Sequence, residues 1–332
     1  MSGFWKGRRV LVTGAGGFIG SHLCERLAAE GARVTALVHY NSRSDWGNLE
    51  LCPAAVRRRL KVVAGELTDP RSVLEAAAGQ DTIFHLGALI AIPYSYAAPS
   101  SYVAVNVQGT VNVLEAARRS GARRVVHTST SETYGTARYV PMDEEHPLQG
   151  QSPYSASKIG ADKLAESYHR SFGLPVVTVR PFNTYGPRQS ARAVIPTILT
   201  QLLAGRPALR LGSLTPVRDF TYVDDTVDGF LRAARAPRAV GEVVNLGSGR
   251  GVSVGELARR AAGVCGVRCR LVRERQRVRP KDSEVMRLVC DARKARRLLG
   301  WKPQVNLDQG LERVRRYLAA HLDRYKPERY NV

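Results

Sequence analysis

A tyrosine and a lysine stand four residues apart in Tyr154-Ser155-Ala156-Ser157-Lys158, within a stretch whose apolar spacing predicts a helix over 152–172. On a helix that spacing sets phenol and ammonium one turn apart on one face. A free phenol, with a pKa of about 10, is a poor base at neutral pH. A lysine cation beside it, joined by the positive ring of a nicotinamide, favours the phenolate. Tyr154 then serves as the base that takes a proton from a substrate alcohol while hydride leaves the same carbon. Alone the pair is a weak signal, because amphipathic helices produce it by chance. Upstream, Thr128-Ser129-Thr130-Ser131-Glu132 gathers hydroxyls and one carboxylate at the end of a predicted strand, the edge where open α/β sheets hold their ligands. Thr130, Ser131 and Glu132 therefore join Tyr154 and Lys158 as candidate catalytic residues. The plainer alternative is that the hydroxyls bond loop backbone and the carboxylate faces water.

A redox base needs a hydride acceptor, and the chain supplies a site for one near its start. Thr13-Gly14-Ala15-Gly16-Gly17-Phe18-Ile19-Gly20 follows a predicted strand and opens a helix. Gly14, Gly17 and Gly20 are spaced GxxGxxG, the short-chain dehydrogenase form of the dinucleotide turn, which brings backbone and a helix N-terminus to the pyrophosphate. Phe18 and Ile19 open that helix and count with the glycines as cofactor-binding. NAD binders carry an acidic residue after the second strand, whereas this chain reads Val38-His39-Tyr40-Asn41-Ser42-Arg43 there. Ser42 and Arg43 suit the 2′-phosphate of NADP, so the residues lean slightly to NADP and leave NAD open.

The elements that position these groups follow from alternation. RRVLVTG, ARVTALVHY, LKVVAG, DTIFHLGA and RRVVHTSTS are short apolar, β-branched runs separated by amphipathic stretches, one of them a helix over about 106–120. Such alternation predicts parallel strands joined by crossover helices, and continuous apolar runs suit strands covered on both faces. With the 152–172 helix and the strand LPVVTVRP, the first 180 residues form a doubly wound α/β sheet. Residues 181–332 are assigned to a smaller, interwoven lobe, with helices near 195–204 and 226–234 and a tail split at 300–303 by Gly and Pro. Length, at 332 residues, and 44% hydrophobic content suffice for this core.

Composition excludes several functions. No long apolar run spans a membrane, and no leader precedes the first strand, so the expected location is the cytoplasm. Five scattered cysteines fit reduced thiols there. Cys265 and Cys269 lack a second Cys/His pair nearby, so no metal site is assigned. The formal charge is +21, mostly from arginines such as Arg57-Arg58-Arg59 and Arg296-Arg297 on polar helix faces. Without interleaved aromatics this reads as a solvated arginine-rich surface rather than a nucleic-acid groove.

At these residues, from Gly14 to the RPKDSE segment at Arg279, the chain resembles the extended short-chain dehydrogenase/reductases that act on nucleotide sugars. The stretches ALIAIPYSYAAP, HTSTSETYGTA and RPFNTYGPRQSARAVIPTI are similar in particular to retaining 4,6-dehydratases of the legionaminate-pathway type, which act on N-acetylglucosamine nucleotides. The resemblance implies a UDP- or GDP-linked substrate, a tightly bound and recycled NAD or NADP, and a homodimer formed through helices near 100–120 and 152–172. It implies cofactor contacts at Glu66, Leu67, Leu86, Ala88 and Asn106, and substrate contacts at Asn183, Val194, Arg218 and Arg279 around the diphosphate. It also implies a mechanism. Tyr154 deprotonates the C4 hydroxyl as hydride leaves, Glu132 takes the acidified C5 proton, water departs from C6 and hydride returns there.

One departure bears on the reaction. Many hexose 4,6-dehydratases carry Thr-Asp-Glu where this chain has Thr130-Ser131-Glu132, and nucleotide-glucuronate decarboxylases share Thr-Ser-Glu. Decarboxylation, C4 epimerisation and an arrested 5,6-elimination therefore stand beside dehydration. An RNA-binding relative of the same fold is the alternative outside enzymes, although such relatives usually lose the tyrosine or lysine kept here.

Overall fold

The structure is a computed structural model and describes residues 3–327. Strands β1 (Arg9–Thr13), β2 (Arg33–His39), β3 (Leu60–Gly65), β4 (Thr82–His85), β5 (Arg124–Thr128) and β6 (Val176–Pro181) form where the apolar runs predict them. The later half adds β7 (Asn183–Tyr185), β8 (Ala208–Leu211), β9 (Val217–Tyr222), β10 (Val243–Leu246), β11 (Gly251–Ser253) and β12 (Arg270–Arg273). A seven-stranded sheet runs in the order β10-β6-β5-β4-β1-β2-β3, with every neighbouring pair parallel. Side chains alternate across it, so Val10 and Val12 enter one core while Leu11 enters the other. This is the doubly wound fold expected of the sequence. Chain order reverses beside β1, opening a crevice at the carboxyl ends of β1 and β4.

Two helices shape that crevice. Pro153–Phe172 starts on a capping box in which Ser152 and Ser155 bond each other's backbone, and it stops at Gly173 in the left-handed conformation. Gly109–Ser120 is preceded by a π-helical stretch, Val103–Gln108, that the sequence pattern did not separate from it. Such stretches re-aim side chains at functional sites, and this one contains Asn106.

The later residues build a sheet ordered β11-β9-β7 and the pair β12-β8, while β10 returns to the large sheet. Helices Val194–Leu203, Val254–Val264 and Leu307–Ala319 pack on them. One continuous core runs from Val10 through Phe230 to Leu318. Buried carboxylates staple the loops. Asp219 accepts from the backbone N–H groups of Ser248, Gly249 and Cys290. Asp225 accepts from those of Gln304 and Val305. Among the described residues no helix is long and apolar enough to cross a membrane.

Candidate active site

A continuous cleft of about 1250 Å³ runs along the carboxyl edge of the large sheet and into the second lobe. Its floor is the glycine turn. Gly14 has φ +66°, and a Cβ there would sit 2.7 Å from the Cα of Gly87; a Cβ on Gly20 would run into the Gly14 carbonyl. Only glycine lets the turn, the β4 loop and the helix approach this closely. Helix Phe18–Ala29 begins at Gly17 without a side-chain cap or an acidic residue in its first turn. Its free N–H groups and positive dipole end therefore suit a pyrophosphate. Phe18, Ile19, Leu86, Ala88, Glu66 and Leu67 all line the cleft.

Asn106 does not face the cleft directly; it is 1% exposed. Its side chain bonds both the N–H and the C=O of Leu89 and donates to Ser157 Oγ, clipping the β4 loop to the helix of Tyr154 and Lys158. A further buried chain holds it. The Gly87 N–H donates to Thr13 Oγ, Thr13 lies 2.8 Å from His85 Nδ1, His85 Nε2 lies 3.0 Å from Thr110 Oγ, and Thr110 donates to the Asn106 carbonyl. Thr110 spends its one proton on the Asn106 carbonyl, so His85 must donate from Nε2, and with Nδ1 accepting from the Thr13 hydroxyl the ring is neutral. Burial, which pushes the His85 pKa well down, keeps it so.

Tyr154, Thr130, Ser131 and Glu132 line the cleft together. Thr130 caps the turn Ser131–Tyr134 by accepting from the Glu132 N–H, and its hydroxyl is near enough to the Tyr154 phenol to act on its pKa. The sequence reading placed the Lys158 ammonium beside the phenol. In the structure Nζ donates to the Thr128 carbonyl at 2.7 Å. Burial pushes the Tyr154 pKa up, the Thr130 hydroxyl lowers it, and Glu132 raises it further. Burial brings Lys158 down to about 8, opposed by Asp162. Burial and Glu132 thus favour the protonated phenol.

On the substrate side the Arg218 guanidinium is 3.3 Å and that of Arg279 3.5 Å from the same Glu284 carboxylate. Two cations share one anion, leaving positive charge toward the cleft. Asn183 directs a buried Oδ1 with no hydrogen-bond partner among the described residues. Val194 opens helix Val194–Leu203, which has neither a side-chain cap nor a first-turn acid. This set suits a diphosphate. Sequence reasoning missed Arg192, Phe182, Tyr96 and the stretch Gln276-Arg277-Val278, which complete the wall. No spacing pattern marks these residues, because they come from separate segments of the chain.

At the end of β2, Arg43 lines the cleft but Ser42 is exposed and off its wall. The reading that no carboxylate stands here stopped short. Asn41 accepts from the backbone N–H groups of Arg43 and Asp45, folding Asp45 back to 3.6 Å from the Arg43 guanidinium. An Asx turn thus returns an acid to the wall six residues after His39.

A glycine-cradled turn of the dinucleotide-binding type, a Tyr-x-x-x-Lys helix and an arginine-lined wall share one cleft of a doubly wound sheet, the arrangement of a dehydrogenase scaffold. Comparison with known proteins narrows the class. The family profile described as GDP-mannose 4,6 dehydratase matches residues 11–314. The chain is 37% identical to UDP-glucose 4-epimerase of Mycolicibacterium smegmatis, covering 92% of this chain and 97% of that one. It is 35% identical to dTDP-glucose 4,6-dehydratase of Actinoplanes sp., covering 91% and 95%. The solved dTDP-glucose 4,6-dehydratase of Streptomyces venezuelae with NAD bound superposes with a TM-score of 0.84 at 33% identity, covering 97% and 100%. The chain belongs to the nucleotide-sugar dehydratase and epimerase family of extended short-chain dehydrogenase/reductases, and it is an enzyme of that family.

Proposed function

We propose that the chain is a 4,6-dehydratase for a UDP- or GDP-linked N-acetylglucosamine, of the legionaminate-pathway type, yielding a 4-keto-6-deoxy sugar. The observation that carries this reading is the carboxylate of Glu132 in the same cleft wall as the Tyr154 phenol, close enough to raise its pKa. C4 epimerisation needs one base to take a hydroxyl proton and return it. Elimination across C5 and C6 needs a second base, and Glu132 supplies one.

The glycine turn, Glu66, Leu67 and the β4 loop would hold a nicotinamide dinucleotide, which supplies the hydride acceptor and donor when bound. Asp45 against Arg43 and the exposed Ser42 favour NAD over the NADP to which the sequence leaned, since a carboxylate repels a 2′-phosphate. Tyr154 takes the C4 hydroxyl proton, with Thr130 orienting the phenol. Glu132 then removes the C5 proton and later returns it to C5, and Ser131, 3% exposed in the same wall, relays to the departing C6 hydroxyl the proton that Tyr154 took from the C4 hydroxyl. Arg218, Arg279, Asn183 and the Val194 helix end hold the diphosphate. We assign residues 1–180 to the dinucleotide lobe and 181–332 to the nucleotide-sugar lobe, in a cytoplasmic homodimer built on the Gly109–Ser120 and Pro153–Phe172 helices.

The hydroxyl of Ser131 in place of an acid favours a second reading, decarboxylation of a nucleotide glucuronate. Incubating the protein with UDP- and GDP-N-acetylglucosamine and UDP-glucuronate, followed by mass spectrometry, separates them. Loss of one water with gain of a 4-ketone is the expected outcome. Loss of carbon dioxide, or an epimer of unchanged mass, would overturn the assignment.

A further inference from the structure

Arg188 lies in the loop between Asn183 and Val194, the two candidate diphosphate contacts, yet its side chain turns away from them. Its backbone has φ +67°, a left-handed conformation that side-chain-bearing residues seldom adopt. The guanidinium, 9% exposed, reaches across to helix Phe18–Ala29 and bonds Glu25 Oε2 at 2.6 Å, with Ser21 Oγ and Cys52 Sγ each 3.4 Å away. Glu25 and Ser21 are one turn apart on the helix whose N-terminus faces the pyrophosphate site. The Arg188 carbonyl accepts from Asn48 Nδ2, while the Asn48 N–H donates to the Gly16 carbonyl of the glycine turn. One position earlier, the Pro187 carbonyl lies 3.0 Å from His22 Nε2 on the same helix. A buried cation, a strained backbone and three separate contacts therefore converge on one junction, where the substrate loop meets both sides of the dinucleotide cradle.

We propose that Arg188 is a positioning residue that ties the nucleotide-diphosphate loop to the dinucleotide cradle, so that filling either site tightens the other. Filling the cradle fixes the Phe18–Ala29 helix and the Gly16–Asn48 contact. Through Glu25 and Arg188 that holds Asn183 and the Val194 helix end where a diphosphate needs them. Coupling of this kind is reciprocal, so a nucleoside diphosphate tightens dinucleotide binding by the same factor. The order in which ligands are retained then suits a cofactor that stays while substrates exchange.

The inference rests on the proposed assignment of the two sites, and the test separates their failures. The full-length protein, stripped of dinucleotide, is titrated calorimetrically with UDP and with GDP, each with and without saturating NAD⁺. Coupling of about fivefold or more is expected in the wild type, within the usual range for linked sites. It should fall toward one in Glu25→Gln, which lies outside both sites, and in Arg188→Met. Arg188→Lys, which keeps the charge facing Glu25, should restore part of it. If one diphosphate and NAD⁺ bind without coupling, or coupling survives Glu25→Gln, the tie is wrong and the site assignment stands. If neither diphosphate or no NAD⁺ binds, the site assignment fails and the tie with it. Glu25→Gln keeps the test alive should Arg188→Met fail to fold.

Discussion

Lys158 shows what burial does to an ammonium. Its folded pKa is lowered to about 8 by burial, below the unfolded value near 10.4. Between those values the unfolded chain binds the extra proton, so this group's contribution rises with pH and is most unfavourable below 8. Lys158→Met removes the effect. Relative to that variant, the wild type should gain about 2 kcal/mol of stability between pH 7.5 and 10, read from urea unfolding of both proteins at each pH. A pH-independent difference would mean that the ammonium is not desolvated. Glu132 makes a different prediction. Glu132→Gln should still oxidise C4, giving nicotinamide absorbance near that of the reduced cofactor, while losing dehydration by about 10²-fold or more; undiminished water loss would remove Glu132 from the chemistry. Tyr154, Lys158 and Glu132 could be singled out in the sequence because a spacing tied to a strand end marks them, and the structure brings Tyr154 and Glu132 into one cleft wall. The partner of the lysine was not legible. Which carbonyl an ammonium meets depends on how β5 lies beneath the helix, and no local pattern records that. Asp45 escaped for a related reason, since an Asx turn at Asn41 moved it back toward the site.

Between residue and fold lies a buried charge cluster that joins three elements. Asp162 on helix Pro153–Phe172 accepts from His127 of β5 at 3.0 Å, from Ser129 just beyond it at 2.6 Å, and from Arg180 of β6 at 2.9 Å. Arg180 also lies over the Tyr134 ring and donates to its hydroxyl. Burial alone would raise the Asp162 pKa, but the His127 hydrogen bond and the Arg180 cation bring it below the usual carboxylate range. Its stabilisation is therefore present above the ordinary carboxylate pKa and is lost only as pH falls toward the folded value. Asp162→Asn leaves Arg180 buried and unpaired, so at pH 7 it should cost about 3–5 kcal/mol. The expected readout is a lower urea midpoint with an unchanged slope; a loss under 1 kcal/mol would mean that water reaches the cluster. The strands and helices around this cluster were readable, β1 to β6 from their apolar runs and Pro153–Phe172 to within a residue at its start. β7 and β11 were not, being three residues each, too short to display a period. Helix Val254–Val264 went unread although Ser253 caps it and Glu256 sits in its first turn; the glycines around it mask its start.

For the whole molecule the +21 charge was plain in composition, but its distribution was not. Many arginines are tied locally, as in Arg26–Glu30, Arg71–Glu75, Arg118 and Arg119 with Glu115, and Arg315 and Arg316 with Glu312. Exposed pairs of this kind contribute little to stability, but they cancel charge in place and leave the excess to act as a field. The cleft concentrates part of that field, with Arg192, Arg218 and Arg279 along the wall away from the glycine turn. A nucleotide sugar carries two negative charges on its diphosphate, so a basic molecule with a basic cleft should draw it in from a distance. The long-range part is screened by salt, the Debye length shrinking from about 10 Å at 0.1 M to about 3 Å at 1 M. The arginines beside Glu284 are largely buried and are screened less. Raising sodium chloride from 25 to 400 mM should thus lower kcat/KM by about threefold or more, chiefly through KM, with kcat changing less than about twofold. Replacing chloride by acetate at equal ionic strength should give the same curve, since a screened field responds to ionic strength whereas competition at the diphosphate site responds to the identity of the anion. A fall in kcat matching the fall in kcat/KM would place the salt effect in the fold or the chemistry and remove the field from the account.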